Sequence, residues 1–122
     1  MAATKRGLLY CPDLMYCSKL TSVSRPADQQ LDVAYSAEQF ADALAADHVY
    51  DYALIDLEAV KDCLSDIVRT IQDQSSRTVV LGFGPHVHTG MLAEAESSGF
   101  SRVLSRGELF RGAAGIFQQL NG

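Results

Sequence analysis

Tyr52-Ala53-Leu54-Ile55-Asp56 is the stretch that decides the fold of this 122-residue chain. Its first four residues form a short apolar run, which is typical of a central strand covered by helices on both faces. Asp56 follows at the carboxyl end of that strand, where open α/β sheets bind their ligands. We therefore expect Asp56 to belong to a functional site, although an Asp here could also serve only to cap the next helix.

Four further strands and five helices are predicted around this stretch. The strands cover residues 8–11, 31–35, 78–83 and 100–104, and the helices run from about 14 to 22, from 36, from 60 to 71, from 91 to 98 and from 105. This alternation predicts an α/β fold with a doubly wound, five-stranded parallel sheet in the flavodoxin-like order 2-1-3-4-5. The first and third strands are then neighbours, so we expect Asp13 and Asp56 to converge.

Three local signals mark the ends of the predicted helices. Residues 36–39 (Ser-Ala-Glu-Gln) and 105–108 (Ser-Arg-Gly-Glu) have the form of capping boxes, in which two side chains satisfy opposing orphan amides. Gly99 follows the fourth helix, where a left-handed residue is the usual stop. Gly82 and Gly84 flank Phe83, and a turn with unusual backbone angles would explain both glycines.

Composition, net charge and cysteine content limit the class of protein and the partners that this chain can have. Hydrophobic residues make up 48% of the chain and charged residues 20%, so we expect one globular domain over residues 1–122. The formal charge of −5 argues against nucleic acid or an anionic membrane as the main partner. Cys11, Cys17 and Cys63 match no disulfide or zinc pattern, which favours a reducing cytoplasm. Neither a signal peptide nor a membrane span is predicted.

The chain resembles the receiver domain of bacterial two-component response regulators over nearly all of its length. Residues 8–13 (Leu-Leu-Tyr-Cys-Pro-Asp) resemble the family's first strand with its trailing acidic pair. Residues 52–56 resemble the third strand, which ends in the phosphoacceptor aspartate. The distance from Phe83 to Ser105 agrees with that between the family's switch Ser/Thr and its Lys. The resemblance implies a flavodoxin-like, receiver-like domain with Asp56 as the phosphoacceptor.

The resemblance also implies a magnesium site. In the family, acidic residues after the first strand, the phosphoacceptor and a carbonyl two residues beyond it hold the ion. Carried over, the ligands would be Asp13, Asp56 and the carbonyl of Glu58, which are hard oxygen donors of the kind Mg²⁺ prefers. Pro12 occupies the first acidic position, so we expect Mg²⁺ to bind weakly at most.

The switch positions depart from the family. Phe83 stands where the family places a Ser or Thr hydroxyl, and a Phe ring donates no hydrogen bond. Ser105 stands where the family places its Lys, and the capping pattern assigns it to a helix start. Arg106, His86 or His88 could supply the missing cation. Alternatively, Arg106 is a solvated first-turn residue, and the two histidines either bind nothing or help to hold a transition metal.

These observations predict a stand-alone, degenerate receiver (a pseudo-receiver) in signal transduction, related to phosphorelays of two-component systems and without enzyme activity. It would act by contact with a kinase or output protein, or with itself, through the fourth helix, fifth strand and fifth helix. The alternative is a small-ligand site at the same sheet edge, formed by Cys11, Asp13, Asp56, Gly84 and His86. A Cys11 nucleophile with His86 as its base lacks an evident orienting third residue.

Overall fold

A computed structural model of the chain describes residues 5–24, 29–45, 50–60, 63–74, 77–85 and 89–121. The strands are β1 (Lys5–Tyr10), β2 (Gln29–Ala34), β3 (Tyr52–Asp56), β4 (Val79–Gly84) and β5 (Arg102–Ser105). The helices are α1 (Leu14–Ser24), α2 (Ala37–Ala45), α3 (Leu64–Gln74), α4 (Thr89–Ser97) and α5 (Arg106–Asn121). The strands pair in parallel in the order β2-β1-β3-β4-β5, which confirms the predicted fold class and topology.

β3 lies at the centre of the sheet, and all five of its residues are buried. Successive side chains point to opposite faces, so Ala53 and Ile55 join one hydrophobic cluster while Tyr52 and Leu54 join the other. The Tyr52 ring crosses Gly7 of β1 so closely that a Cβ at Gly7 would lie 2.2 Å from Tyr52 Cε2. Packing on both faces of the sheet therefore holds β3 in place, and with it Asp56 at the carboxyl end of the strand.

The segment after β3 differs from the prediction of a helix from Val60 to Ile71. A 3-10 turn spans Leu57–Val60, and α3 begins only at Leu64. Leu57 and Val60 are buried, which pulls the turn onto the sheet edge instead of letting the chain enter a helix directly. The Cys63 amide then bonds to the Val60 carbonyl at 2.8 Å and closes the turn. The prediction that the helix begins at Val60 was wrong, because hydrophobic periodicity does not distinguish the end of a 3-10 turn from the first turn of an α-helix.

The predicted helix ends are largely confirmed. Ser105 Oγ accepts from the Glu108 amide at 3.1 Å, and Glu108 Oε1 accepts from the Ser105 amide at 3.0 Å, which is a complete capping box. At the start of α2, Ser36 Oγ accepts from the Gln39 amide at 3.2 Å, but the Gln39 side chain accepts from Tyr35. Gly99 ends α4 with φ of 105°, the expected left-handed conformation.

The glycines of β4 serve packing rather than an unusual backbone. Among the described glycines, positive φ is found at Gly99, and Gly82 and Gly84 lack it, so the turn explanation was wrong for these two. A Cβ at Gly82 would lie 2.8 Å from Leu57 Cδ2. One at Gly84 would lie 2.9 Å from Met91 Cε. Both glycines let neighbouring side chains approach the strand, and the Gly84 surface is covered by protein.

Candidate functional site

Asp56 is a buried carboxylate with a partner on each oxygen. It is 4% exposed and lies beside Phe83 in the β3–β4 ladder. Asp56 Oδ1 accepts a hydrogen bond from the Glu58 amide at 3.1 Å. Asp56 Oδ2 lies 3.6 Å from the Cys11 Sγ. The carboxylate thus stabilises the 3-10 turn after β3, as the simple capping interpretation requires, and at the same time faces side chains from other elements.

Cys11 is the side chain that approaches Asp56 from the first strand. It follows β1 directly and has no exposed surface. Burial raises the pKa of the Cys11 thiol to about 12, so the sulfur carries its proton and donates toward Asp56. The position next to the carboxylate is therefore occupied by a neutral group. A sulfur of this kind is a poor ligand for a hard cation.

Asp13, in contrast, is exposed and belongs to the start of α1. Its Oδ1 accepts from the Met15 amide at 2.9 Å and the Tyr16 amide at 3.2 Å, which is the geometry of an N-cap. The contacts that the structure gives for the Asp56 carboxylate are with the Glu58 amide, the Cys11 thiol and the Arg106 guanidinium. The structure therefore places Cys11, rather than Asp13, among the immediate contacts of Asp56.

Arg106 supplies a cation at the site. It is the first residue of α5, its side chain is 24% exposed, and its Nη2 lies 3.5 Å from Asp56 Oδ1. The same nitrogen lies 3.0 Å from Glu58 Oε1. The alternative of a solvated first-turn residue is contradicted by these contacts. The cation comes one residue after Ser105, whose own side chain caps α5.

Burial and charge act in opposite directions on Asp56. Burial raises the pKa of its carboxyl, and the Arg106 guanidinium, the Glu58 amide and the Cys11 thiol lower it, while the Glu58 carboxylate raises it again. The net direction is upward. Arg106 therefore only partly offsets the loss of hydration, and Asp56 keeps its proton to higher pH than an exposed aspartate does.

Three aromatic rings lie behind the cation. The Arg106 Cζ is 5.0 Å from the centre of the Tyr16 ring. Tyr16 packs on Phe110 with ring centres 4.9 Å apart, and Phe110 meets the edge of Phe83 at 6.5 Å. Sequence reasoning missed Tyr16 and Phe110. The i, i+4 spacing of Arg106 and Phe110 on α5 was the available signal, because residues at that spacing share one helix face.

The donors around Asp56 do not fit a magnesium site. Across the described ranges, no group of three or more His, Cys, Asp or Glu side chains could hold a metal ion. The Asp56 and Glu58 carboxylates share Arg106, and Asp13 caps α1. His86 and His88 lie outside the described residues, so their predicted roles stay predictions. Without such a cluster among the described residues, the Glu58 carbonyl that the resemblance adds does not complete a magnesium site.

Neither a protein-family model nor a curated protein matches the sequence. Solved structures superpose on nearly the whole chain. A response regulator from Thermotoga maritima is 10% identical, with a TM-score of 0.83 and coverage of 98% of both chains. The signal receiver domain of an HD domain-containing protein from Pseudomonas fluorescens Pf-5 is 17% identical, with a TM-score of 0.79 and coverage of 99% of this chain and 89% of that one. The fold is that of response regulator receiver domains.

The receiver fold also includes a structure with a modified aspartate. A response regulator from Burkholderia pseudomallei, described with a phosphorylated aspartic acid, calcium ion and citrate, is 12% identical with a TM-score of 0.77. The superposition covers 96% of this chain and 68% of that one. Sequence identities of 10–17% establish a shared fold alone. The predicted resemblance to receiver domains is therefore confirmed for the fold. Within the part of this chain that the structure describes, no helix combines the length and apolar character needed to cross a membrane.

Proposed function

We propose that this chain is a degenerate receiver, a signalling module that acts through protein contacts and in which Asp56 is not a regular phosphoacceptor. The observation that carries the proposal is the surroundings of Asp56. A protonated thiol and a guanidinium contact the carboxylate, and the buried Phe83 is its neighbour in the β3–β4 ladder, where phosphoryl transfer needs a metal ion and a hydroxyl. Residues 1–122 would form one receiver-like unit without enzyme activity of its own.

Phosphoryl transfer depends on neutralising charge in a fixed geometry. Removing one positioned donor from such a site costs a factor of about 10²–10³, or roughly 2.7–4 kcal/mol. Here the metal donors do not fit, and Phe83 has no hydroxyl to offer. Arg106 supplies one cation, but Glu58 Oε1 is nearer to its Nη2 than Asp56 is, at 3.0 Å against 3.5 Å. One shared cation does not replace both missing elements.

The contact surface is proposed from the fold. The fourth helix, fifth strand and fifth helix (α4, β5 and α5) would meet a kinase, an output protein or a second copy of the chain in the cytoplasm. Arg102 and Arg111 are exposed on this surface. A small ligand at the sheet edge is less well supported, because Met91 and Leu92 cover Gly84 and Asp13 caps a helix.

Incubation with a small acyl phosphate and Mg²⁺, followed by intact mass spectrometry, tests the proposal. We expect the natural chain to remain unmodified. The double substitution Cys11→Asp with Phe83→Thr places a carboxylate beside Asp56 and a hydroxyl at the switch position of β4, and we expect it to acquire one phosphoryl group. Asp56→Asn in the double variant is the control and should abolish labelling. Stoichiometric labelling of the natural chain that is lost in Asp56→Asn would overturn the proposal.

A further inference from the structure

The guanidinium of Arg106 is held unevenly by its acidic partners. In both ion pairs the closest guanidinium atom is Nη2, which faces Asp56 Oδ1 and Glu58 Oε1. The Nε of the same side chain is buried and has no hydrogen-bond partner among the described residues. Arginine is held most firmly in plane by two parallel N–H bonds to one acceptor group, and a guanidinium whose Nε is unpaired lacks one of the donors for such a fork. A further contact is therefore needed to fix the plane of the guanidinium.

Tyr16 contributes the contact that is missing. Its ring centre lies 5.0 Å from the Arg106 Cζ, which is within the range for a cation over an aromatic face. Tyr16 is held both at its backbone and at its ring. The Tyr16 amide bonds to Asp13 Oδ1 at 3.2 Å, and the ring packs on Phe110 at 4.9 Å. Phe110 meets the fully buried Phe83, so the rigid core supports the ring.

We infer that Tyr16 is the positioning residue for Arg106: its ring holds the guanidinium over the edge formed by Asp56 and Glu58. The inference rests on the proposed function, because it identifies how the cation at the degenerate site is kept in place. The buried Nε of Arg106 has no hydrogen-bond partner among the described residues, so the flat Tyr16 ring is the contact that favours this position of the guanidinium. The Asp13 cap of α1 then acts on the site indirectly, through Tyr16.

Side-chain NMR of Arg106 tests the inference directly. In the natural chain we expect a slow rotation about Nε–Cζ and upfield ring-current shifts of the Arg106 Cδ protons. Tyr16→Phe keeps the ring and should preserve both signals. Tyr16→Leu removes the ring and should abolish the ring-current shift and accelerate the rotation at least about tenfold, the factor that one lost weak contact of ~1.4 kcal/mol produces. Backbone amide spectra establish that each variant is folded.

Two results would overturn the role of Tyr16. Unshifted Cδ protons in the natural chain would overturn the inference without any variant, so an unfolded Tyr16→Leu does not protect it. Unchanged Arg106 signals in a folded Tyr16→Leu would also overturn it. Neither result depends on phosphodonor labelling. Labelling of the natural chain at Asp56 would overturn the proposed function and leave the Arg106 signals to be judged separately.

Discussion

Cys11 Sγ lies 3.6 Å from Asp56 Oδ2, so a buried thiol closes the side of the carboxylate that faces β1. The thiol brings no charge to the site, because burial raises its pKa to about 12. Arg106 is the cation in contact with Asp56 among the described side chains, and Glu58 competes for it. Arg106 therefore does not fully offset the free-energy cost of burying the Asp56 carboxylate, and we expect this cost to lower the stability of the fold.

We expect Asp56→Asn to raise the free energy of unfolding at neutral pH. Burial raises the pKa of Asp56 above its ordinary value of 3.8, so the folded state binds the proton more tightly than the unfolded state. The stabilising effect of that proton is complete below 3.8 and is lost as pH rises through the folded pKa. Each unit of upward shift is worth about 1.4 kcal/mol. Asn is neutral and can still accept from the Glu58 amide.

Urea unfolding between about pH 4 and pH 7 measures this effect, because the gain of Asp56→Asn should shrink toward the acid end of the range. Asp42→Asn, an exposed change on α2, is the control and should alter stability by at most about 0.5 kcal/mol. An Asp56→Asn protein that is less stable than the natural chain at pH 7 would show that the attraction of Arg106 outweighs the cost of burial.

The three cysteines should differ in reactivity. Burial raises the pKa of both Cys11 and Cys17, and Cys17 Sγ donates to the Cys11 carbonyl at 3.2 Å. Cys63 is half-buried. We expect iodoacetamide to modify Cys63 in the folded protein and to spare the other two, as peptide mapping by mass spectrometry would show. All three should react in denaturant. Rapid modification of Cys11 in the folded chain would revive the nucleophile interpretation.

Phe83 should serve stability rather than switching. It has no exposed surface and meets Phe110 edge to face. We expect Phe83→Thr to lower the free energy of unfolding by about 3–5 kcal/mol, the range for removing a buried ring. Val79→Thr on the same strand is the matched control, because Val79 is 37% exposed, and should cost at most about 0.5 kcal/mol. A loss below about 1 kcal/mol for Phe83→Thr would mean that the ring is not a packed core residue.

Sequence patterns predicted the sheet well because parallel strands buried on both faces leave unbroken apolar runs. They located Asp56 and Phe83, which the structure places in β3 and β4. Just beyond the strands they left Cys11, Asp13 and Arg106 as alternatives, because one position decides which side chain faces the site. The ladder pairs Tyr10 with Ile55, which brings Cys11 beside Asp56 and leaves Asp13 to α1. Likewise Ser105 is the last residue of β5, so the cation beside Asp56 comes from the next residue, Arg106.

The same offset suggests how to build a metal site. Cys11→Asp would place a second carboxylate beside Asp56, at the position of a sulfur that is now 3.6 Å from Asp56 Oδ2. Without a cation, two adjacent carboxylates repel each other, so we expect this variant to be less stable than the natural chain. Mg²⁺ should bind the pair through hard oxygen donors and restore the loss. An ion at about 100 times its Kd adds about 2.7 kcal/mol of stability.

Thermal unfolding with and without Mg²⁺ measures this prediction, with Cys11→Ser as the matched control because its hydroxyl is neutral. We expect Mg²⁺ to raise the Tm of Cys11→Asp and to leave both the control and the natural chain unchanged. The natural chain should stay unresponsive because Asp13 is committed to the Met15 and Tyr16 amides, and its other acidic candidates share Arg106. A Tm of the natural chain that rises with Mg²⁺, and no longer does so in Asp13→Asn, would show that Asp13 leaves α1 to form a working acidic pocket with Asp56.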